Sequence, residues 1–319
     1  MALEHEPNYI YTYTSHENDQ ELCQMELRAL FGQKSLESES AFSYIETKVK
    51  IDPSRSPFIS MRLDVLLSGD SLDEIRLAVK SLDLGEATFK VLYIKHGDKI
   101  SYEEQRNVER LVGMNITGKA DMRSPDVTYG ILSSGGRWIF GQCHAAEAVW
   151  LRHKDKPQNY STGLSTPVAR ALANIAVPQP RGIKAIDPCC GMGNVLIEAL
   201  SMGIDMVGMD INPLAIKGAR MNLRHFGYND ATLVRIGDMN EVEQSYDAAI
   251  LDMPYNLCSV LSVAERIQML SSLRRFSARS VIVSSELLDR DIQQVGLCVI
   301  DQCTITKGTF IRNVWLCQN

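Results

Sequence analysis

The sequence predicts an α/β protein in two parts: a parallel sheet covered by helices and closed by an antiparallel hairpin, preceded by a smaller α+β half. Three observations predict it. Apolar, strand-length runs recur through the second half, among them "IKAIDP", "DMVGMDI", "ATLVRIGD", "YDAAILDMP" and "SVIVSSE". Between them lie amphipathic stretches of helical length such as "PLAIKGARMNLRHFG", and strand, helix, strand in repetition favours parallel strands with ligands at their carboxyl ends. Before Arg152 this regular alternation is missing, and 319 residues exceed the usual size of one domain.

Taken in order, the first half reads as a strand "YIYTYT", a helix "DQELCQMELRALFG", strands "SYIETKVKI" and "FISMRLDVLL", a helix "LDEIRLAVKSL", a strand "TFKVLYIK" and a helix "YEEQRNVERLVGMNI". A hairpin "VTYGILSSGGRWIFGQ" follows, turning at Ser134–Gly136. Antiparallel pairing is the cheaper arrangement for such a series. The polar, charged "RHKDKPQNYSTGLS", with Pro157 and Gly163, marks a linker. The expected bounds are therefore 1–151, a linker at 152–164, and 165–319. The closing "CVIDQCTITKGTFIRNVWLCQ" holds two extended segments around Lys307-Gly308 with no helix between them, hence the terminal hairpin.

Composition narrows the function. Hydrophobic residues at 45% and charged residues at 23% describe a globular chain rather than a fibre or a disordered one. No apolar run is long enough to span a bilayer, and "MALEHEPNYI" lacks the basic start and apolar core of a signal peptide, which points to the cytoplasm and away from a membrane partner. Eight cysteines without a Cys-x-x-Cys pair fit reduced thiols and no metal site. A net charge of -6 means that any nucleic-acid partner must meet local positive charge. Arg152, Lys154 and Lys156 are the candidates for phosphate contacts, although a solvated linker is the ordinary reading of so short a cluster.

The richest stretch is "AIDPCCGMGNVLIEA", a strand that breaks into a glycine turn and leaves as a helix. Asp187 ends the strand, Gly191 and Gly193 let the backbone turn tightly, and the helix starting near Asn194 offers free amides to the same space. Leu196 stands where a dinucleotide fingerprint has its third glycine, and no Gly-Lys-Ser/Thr follows as in a phosphate loop. The next strands end in Asp210 ("VGMDIN"), Asp238 ("RIGDM") and Asp252 ("ILDMPYN"). Acidic strand ends suit a cofactor with a ribose, an adenine and a cationic group, and no phosphate. Plainer readings stand beside these: Asp210 as a helix cap, Asp238 as a solvated loop carboxylate, and Cys189 and Cys190 as small packing residues.

Asp187-Pro-Cys-Cys-Gly-Met-Gly resembles the first motif of class I S-adenosylmethionine methyltransferases, and Asp252-Met-Pro-Tyr resembles the Asp/Asn-Pro-Pro-Tyr motif of those that methylate exocyclic amines of nucleobases. Upstream, "RHKDKPQNYSTGLSTPVARALANIA" is similar to the segment before motif one in THUMP-containing tRNA guanine methyltransferases, and "KADMRSPDVTYGIL" resembles an entry strand of the THUMP domain. The resemblance implies a Rossmann-like class I methyltransferase sheet behind a THUMP-like domain, with S-adenosylmethionine as cofactor and RNA, foremost tRNA, as partner. It implies cofactor contacts from Asp187, Cys189, Gly191, Gly193, Asn194, Asp210, Ile211, Asp238 and Met239, with Tyr160 and Thr162 from the upstream segment. Asp252, Met253, Pro254 and Tyr255 would carry the chemistry, Tyr255 stacking on the target base and Met253 replacing the usual first proline. The implied target is the 2-amino group of a guanosine; an adenine amine on DNA or ribosomal RNA, or binding without catalysis, are the competing readings.

Overall fold

The computed structural model describes residues 8–32, 44–159, 163–254, 261–307 and 310–319. They fall into two compact units, Met1–Thr14 with Gln33–Glu147, and Ser15–Gly32 with Ala148–Asn319. The chain opens with β1 (Tyr9–Tyr13) and α1 (Gln20–Phe31), then runs β2 (Tyr44–Thr47), β3 (Ile59–Gly69), α2 (Leu72–Ala78), β4 (Asp83–Tyr93), α3 (Tyr102–Gly113), β5 (Thr117–Ala120), β6 (Val127–Ser134) and β7 (Arg137–Ala145).

The first unit is one sheet in the order β2-β1-β3-β7-β6-β4-β5. Helix α2 with its C-cap Val79, and α3, bury Ile75, Val79, Val108 and Val112 against Phe89, Val91, Ile131 and Phe140 of the strands. The expected hairpin is present: Ser134 pairs with Arg137 across Gly135 and Gly136, whose φ values of +59° and +87° suit the tight turn that matches strand twist. Antiparallel pairing holds for β1, β2, β3, β6 and β7, but β4 pairs parallel with both β5 and β6. The reason is α3, a crossover helix that returns the chain to the end of the sheet where β4 began.

The second unit adds α4 (Thr166–Ala176), β8 (Lys184–Asp187), α5 (Asn194–Ser201), β9 (Asp205–Asp210), α6 (Pro213–His225), α7 (Asp230–Leu233), β10 (Val234–Ile236), β11 (Tyr246–Asp252), α8 (Val263–Phe276), β12 (Ser277–Ser284), α9 (Asp289–Gln294), β13 (Cys298–Lys307) and β14 (Phe310–Gln318). Its sheet runs β10-β9-β8-β11-β12-β14-β13, parallel from β10 to β12 and closed by the antiparallel β13–β14 hairpin, as the alternation of apolar runs and amphipathic stretches predicts.

Two boundaries differ from expectation. Helix α1 belongs to the second unit, because its partners lie there: Glu26 accepts a hydrogen bond from Asn174 Nδ2 of α4 at 2.6 Å with both side chains fully buried. Arg28 forks onto Asp301 of β13 at 2.8 and 3.0 Å, and Glu21 accepts from the Thr304 backbone amide at 2.7 Å. α1 thus satisfies part of an edge strand that would otherwise present open pairing groups. The start of the expected linker is also structured. Val149–Asp155 is a 3-10 helix whose His153 is buried, its Nδ1 2.7 Å from Glu198 of α5, while Arg170 of α4 donates to the other Glu198 oxygen at 2.8 Å. Burying three charge-bearing groups together is tolerated because they pair with one another.

Candidate active site

Strands β8 and β11 are neighbours, yet the chain leaves β8 toward β9 on one side and enters β12 from β11 on the other. Such a reversal opens a crevice at the carboxyl ends of the strands. Asp187 ends β8, Asp210 ends β9 and Asp252 ends β11, and Asp238 follows β10. The register sets Asp187 beside Gly208 and Ile236 beside Asp210, so these ends share one edge of the sheet.

The glycine turn is built from backbone conformations that only glycine takes cheaply. Gly191 and Gly193 have φ of +52° and +80°, and Gly193 is the left-handed residue that starts α5. The turn is tied to β9: Cys190 N donates to Met209 O at 2.9 Å, and Gly191 N donates to Asp210 Oδ2 at 2.9 Å. Asp210 Oδ1 accepts from Asn212 N at 2.8 Å, while Asn212 itself caps α6 by accepting from Leu214 N. The cap reading of Asp210 is therefore corrected in favour of Asn212. An ionised carboxylate can accept about four hydrogen bonds, so two sites on Asp210 stay open to a ribose. Asn194 Nδ2 donates to Leu164 O at 2.8 Å, holding the incoming chain beside the turn.

Around these residues lies a cavity of about 610 Å³, in the range of a cofactor site. Asp187, Cys189, Gly191, Asn194, Asp210, Ile211, Asp238, Met239, Asp252, Met253 and Pro254 all line it. Gly193 is not in the lining; it sits behind the turn. Tyr160, Thr162 and Tyr255 lie outside the described residues. Glu265, Gln268 and Met269 of α8 also line the cavity, as do Gly163 and Leu164. Sequence reasoning passed over these, although the capping box from Ser262 to Glu265 announces a helix start shortly after the fourth motif.

The lining carries five carboxylates, Asp187, Asp210, Asp238, Asp252 and Glu265, and no lysine, arginine or histidine among the described residues. That donor set fits S-adenosylmethionine, whose sulfonium and ammonium are cationic and whose ribose offers two hydroxyls; it does not fit a pyrophosphate. Burial pushes the carboxyl of Asp187 well above the usual range, the Asp252 charge adds to this, and the Cys189 amide at 3.3 Å opposes it. Burial and the surrounding aspartates push the Cys189 and Cys190 thiols up as well, which makes them packing groups and not nucleophiles.

Met253 keeps a bond that proline cannot make. Its amide donates to Val283 O of β12 at 2.9 Å, and its side chain is buried in the core under the sheet. The backbone after Asp252 is thus held by the strand ladder where the related motif uses a ring. Of the basic cluster, Lys156 is corrected: it is 8% exposed, and burial holds its ammonium below the usual range. Arg152 and Lys154 are exposed in the last turn of the 3-10 helix. Arg274, Arg275 and Arg279 donate to the carbonyls of Val295, Asn240 and Ile175 respectively, tying down helical turns.

Residues 153–273 match the family of RMKL-like methyltransferase domains. A tRNA (guanine(10)-N2)-dimethyltransferase of Methanothermobacter thermautotrophicus is 30% identical over 167 residues, 48% of this chain and 48% of its own length. A U6 snRNA (guanine-N(2))-methyltransferase, THUMPD2, of Mus musculus is 25% identical over 232 residues, 69% of this chain and 43% of that one. The chain thus spans about half the length of the curated relatives it matches. The crystal structure of TrmN from Thermus thermophilus overlays with a TM-score of 0.50 at 17% identity, covering 98% of this chain and 99% of that one, a likeness of fold. Sheet order, acidic cavity and domain match agree: residues 153–273, within the second unit, match an RMKL-like methyltransferase domain, and that unit has a class I methyltransferase fold whose cavity suits S-adenosylmethionine.

Proposed function

We propose that this chain methylates the exocyclic 2-amino group of a guanosine in RNA, with tRNA as the RNA class. The observation that carries the reading is Asp252 at the end of β11, opening onto the acidic cavity with Met253 and Pro254 behind it. S-adenosylmethionine supplies an electrophilic methyl group. The residues of the chain must then make a poor nucleophile competent, since the lone pair of an aromatic amine is delocalised into its ring. The Asp252 carboxylate accepts one amine proton and the Met253 carbonyl the other, drawing the nitrogen toward tetrahedral geometry and offsetting the charge that develops there. The target base has to be unpaired or flipped to reach the cavity.

The relatives named for guanine-N2 methylation of tRNA and of U6 snRNA support this choice of base over adenine. We assign the first unit, which carries the THUMP-like "RSPDV", to holding the RNA, and Arg152 and Lys154 of the second unit to contacting phosphate. The described cysteines are all free, and no described helix is long and apolar enough to cross a membrane, both in keeping with a cytoplasmic site of action. The test is transfer of labelled methyl from S-adenosylmethionine to unmodified tRNA, with U6 snRNA, ribosomal RNA and DNA in parallel, followed by nucleoside digestion and mass spectrometry. N2-methylguanosine from tRNA is the expected product. Methyladenosine from any substrate overturns the base assignment, and methylguanosine from snRNA alone overturns the RNA class.

A further inference from the structure

Five carboxylates around one cavity cannot all stay ionised without a positive neighbour, and the described lining supplies none. Among Asp187, Asp210, Asp238 and Glu265 the hydrogen bonds say which carboxylate gives way. Asp210 accepts two amides at 2.8 and 2.9 Å, Asp238 accepts Asn240 N at 2.8 Å, and Glu265 is exposed and holds the amide and hydroxyl of Ser262. Asp187 is 3% exposed and accepts one amide, Cys189 N, at 3.3 Å. The groups facing it are Asp252 from β11, Asp210 from β9 and the Cys189 thiol of the glycine turn, which is itself faced by Asp238. All are acidic.

We propose that Asp187 is a proton-linked carboxylate of the cofactor cavity: it keeps its proton while the cavity holds no cation and releases it when a cationic ligand enters, so that affinity for S-adenosylmethionine rises with pH. The O–H bond of the Asp187 carboxyl breaks, the proton passes to solvent, and the carboxylate stays behind to face the ligand. This rests on the cavity being the S-adenosylmethionine site. S-adenosylhomocysteine has the same adenosine and amino-acid ends but a neutral sulfur, so its net charge is lower by one and it leaves the proton in place. The direction in which burial and Asp252 push the Asp187 carboxyl agrees with this.

The experiment is isothermal titration calorimetry of the full chain with each ligand, in buffers of different ionisation enthalpy near neutral pH. The expected result is proton release on binding S-adenosylmethionine, no release with S-adenosylhomocysteine, and none with either in Asp187→Asn. The dissociation constant of S-adenosylmethionine should fall with rising pH by up to about tenfold per unit for one linked proton, while that of S-adenosylhomocysteine stays flat. Equal release with both ligands, or undiminished release in Asp187→Asn, overturns the proposal. Should Asp187→Asn fail to fold by circular dichroism, Asp252→Asn decides: less release than wild type supports the linkage and unchanged release refutes it. Failure of the wild-type chain to bind either ligand would overturn the cofactor reading itself, an outcome distinct from binding without proton release.

Discussion

Leu27→Ala tests whether α1 belongs to the methyltransferase unit despite its place near the start of the chain. Leu27 is fully buried, on a helix that also buries Leu22, Cys23, Met25, Leu30 and Phe31. Truncating a buried leucine to alanine costs about 2–5 kcal/mol, depending on how far the surroundings collapse into the space. Here collapse is restrained, since the Glu26–Asn174 bond holds α1 against α4 and the Arg28–Asp301 pair holds it against β13. The upper half of that range is expected, a large part of the roughly 5–15 kcal/mol that keeps a domain folded. Hydrogen exchange read by mass spectrometry locates the loss. Amides of α4, β13 and β14 that exchange by global opening of the second unit should lose protection by about 400-fold to about 5,000-fold, with β1, β2 and β3 unchanged. Loss confined to β1–β3, with β13 still protected, would refute the assignment of α1.

Further outcomes follow from the site. Asp210→Ala removes the acceptor of the Gly191 and Asn212 amides as well as the proposed ribose contact; bonds to charged groups are worth about 1.5–3 kcal/mol, so calorimetry should show S-adenosylmethionine bound about 10- to 100-fold more weakly, and unchanged affinity would sink the ribose role. Asp252→Ala should abolish methyl transfer while leaving the cofactor dissociation constant within a few-fold of wild type; retained turnover would end the acceptor mechanism. Met253→Pro, although closer to the related motif, should destabilise the unit by about 1–3 kcal/mol, because it orphans the Val283 carbonyl; a melting temperature equal to wild type would contradict this. The raised Asp187 carboxyl stabilises the fold fully below its unfolded pKa, and that contribution is lost as pH rises through its folded value. Without ligand, Asp187→Asn should therefore melt progressively later relative to wild type as pH is raised, and a pH-independent difference would refute it.

Much of the second unit was legible because each strand announces its end. A buried parallel strand is a short apolar run, and the acidic residue that closes it stands out, so Asp187, Asp210, Asp238 and Asp252 could be named from spacing alone. What hydrophobic period cannot tell is which sheet a helix covers. α1 has an ordinary apolar face, and the contacts that assign it, to Asn174 and Asp301, lie far along the chain. The parallel pairing of β4 was hidden for the same reason, since strand patterns do not encode direction. The stretch around Lys156 misled in another way: charge reads as solvated, yet the buried His153–Glu198–Arg170 group draws that segment against α4 and α5. Glu265 and Gln268 escaped notice because a helix residue shows its cavity face only once the helix is docked.

The position of α1 also has a consequence in time. During synthesis α1 emerges long before Asp301 and Thr304, which receive Arg28 and Glu21 and lie 273 and 283 residues further along the chain. The first unit needs no residue beyond Glu147 and can complete its sheet while the ribosome is still working on the second. Throughout that interval the apolar face of α1 has no finished surface to join. The second unit therefore closes by contacts that span 273 and 283 residues of sequence, a slow step by topology.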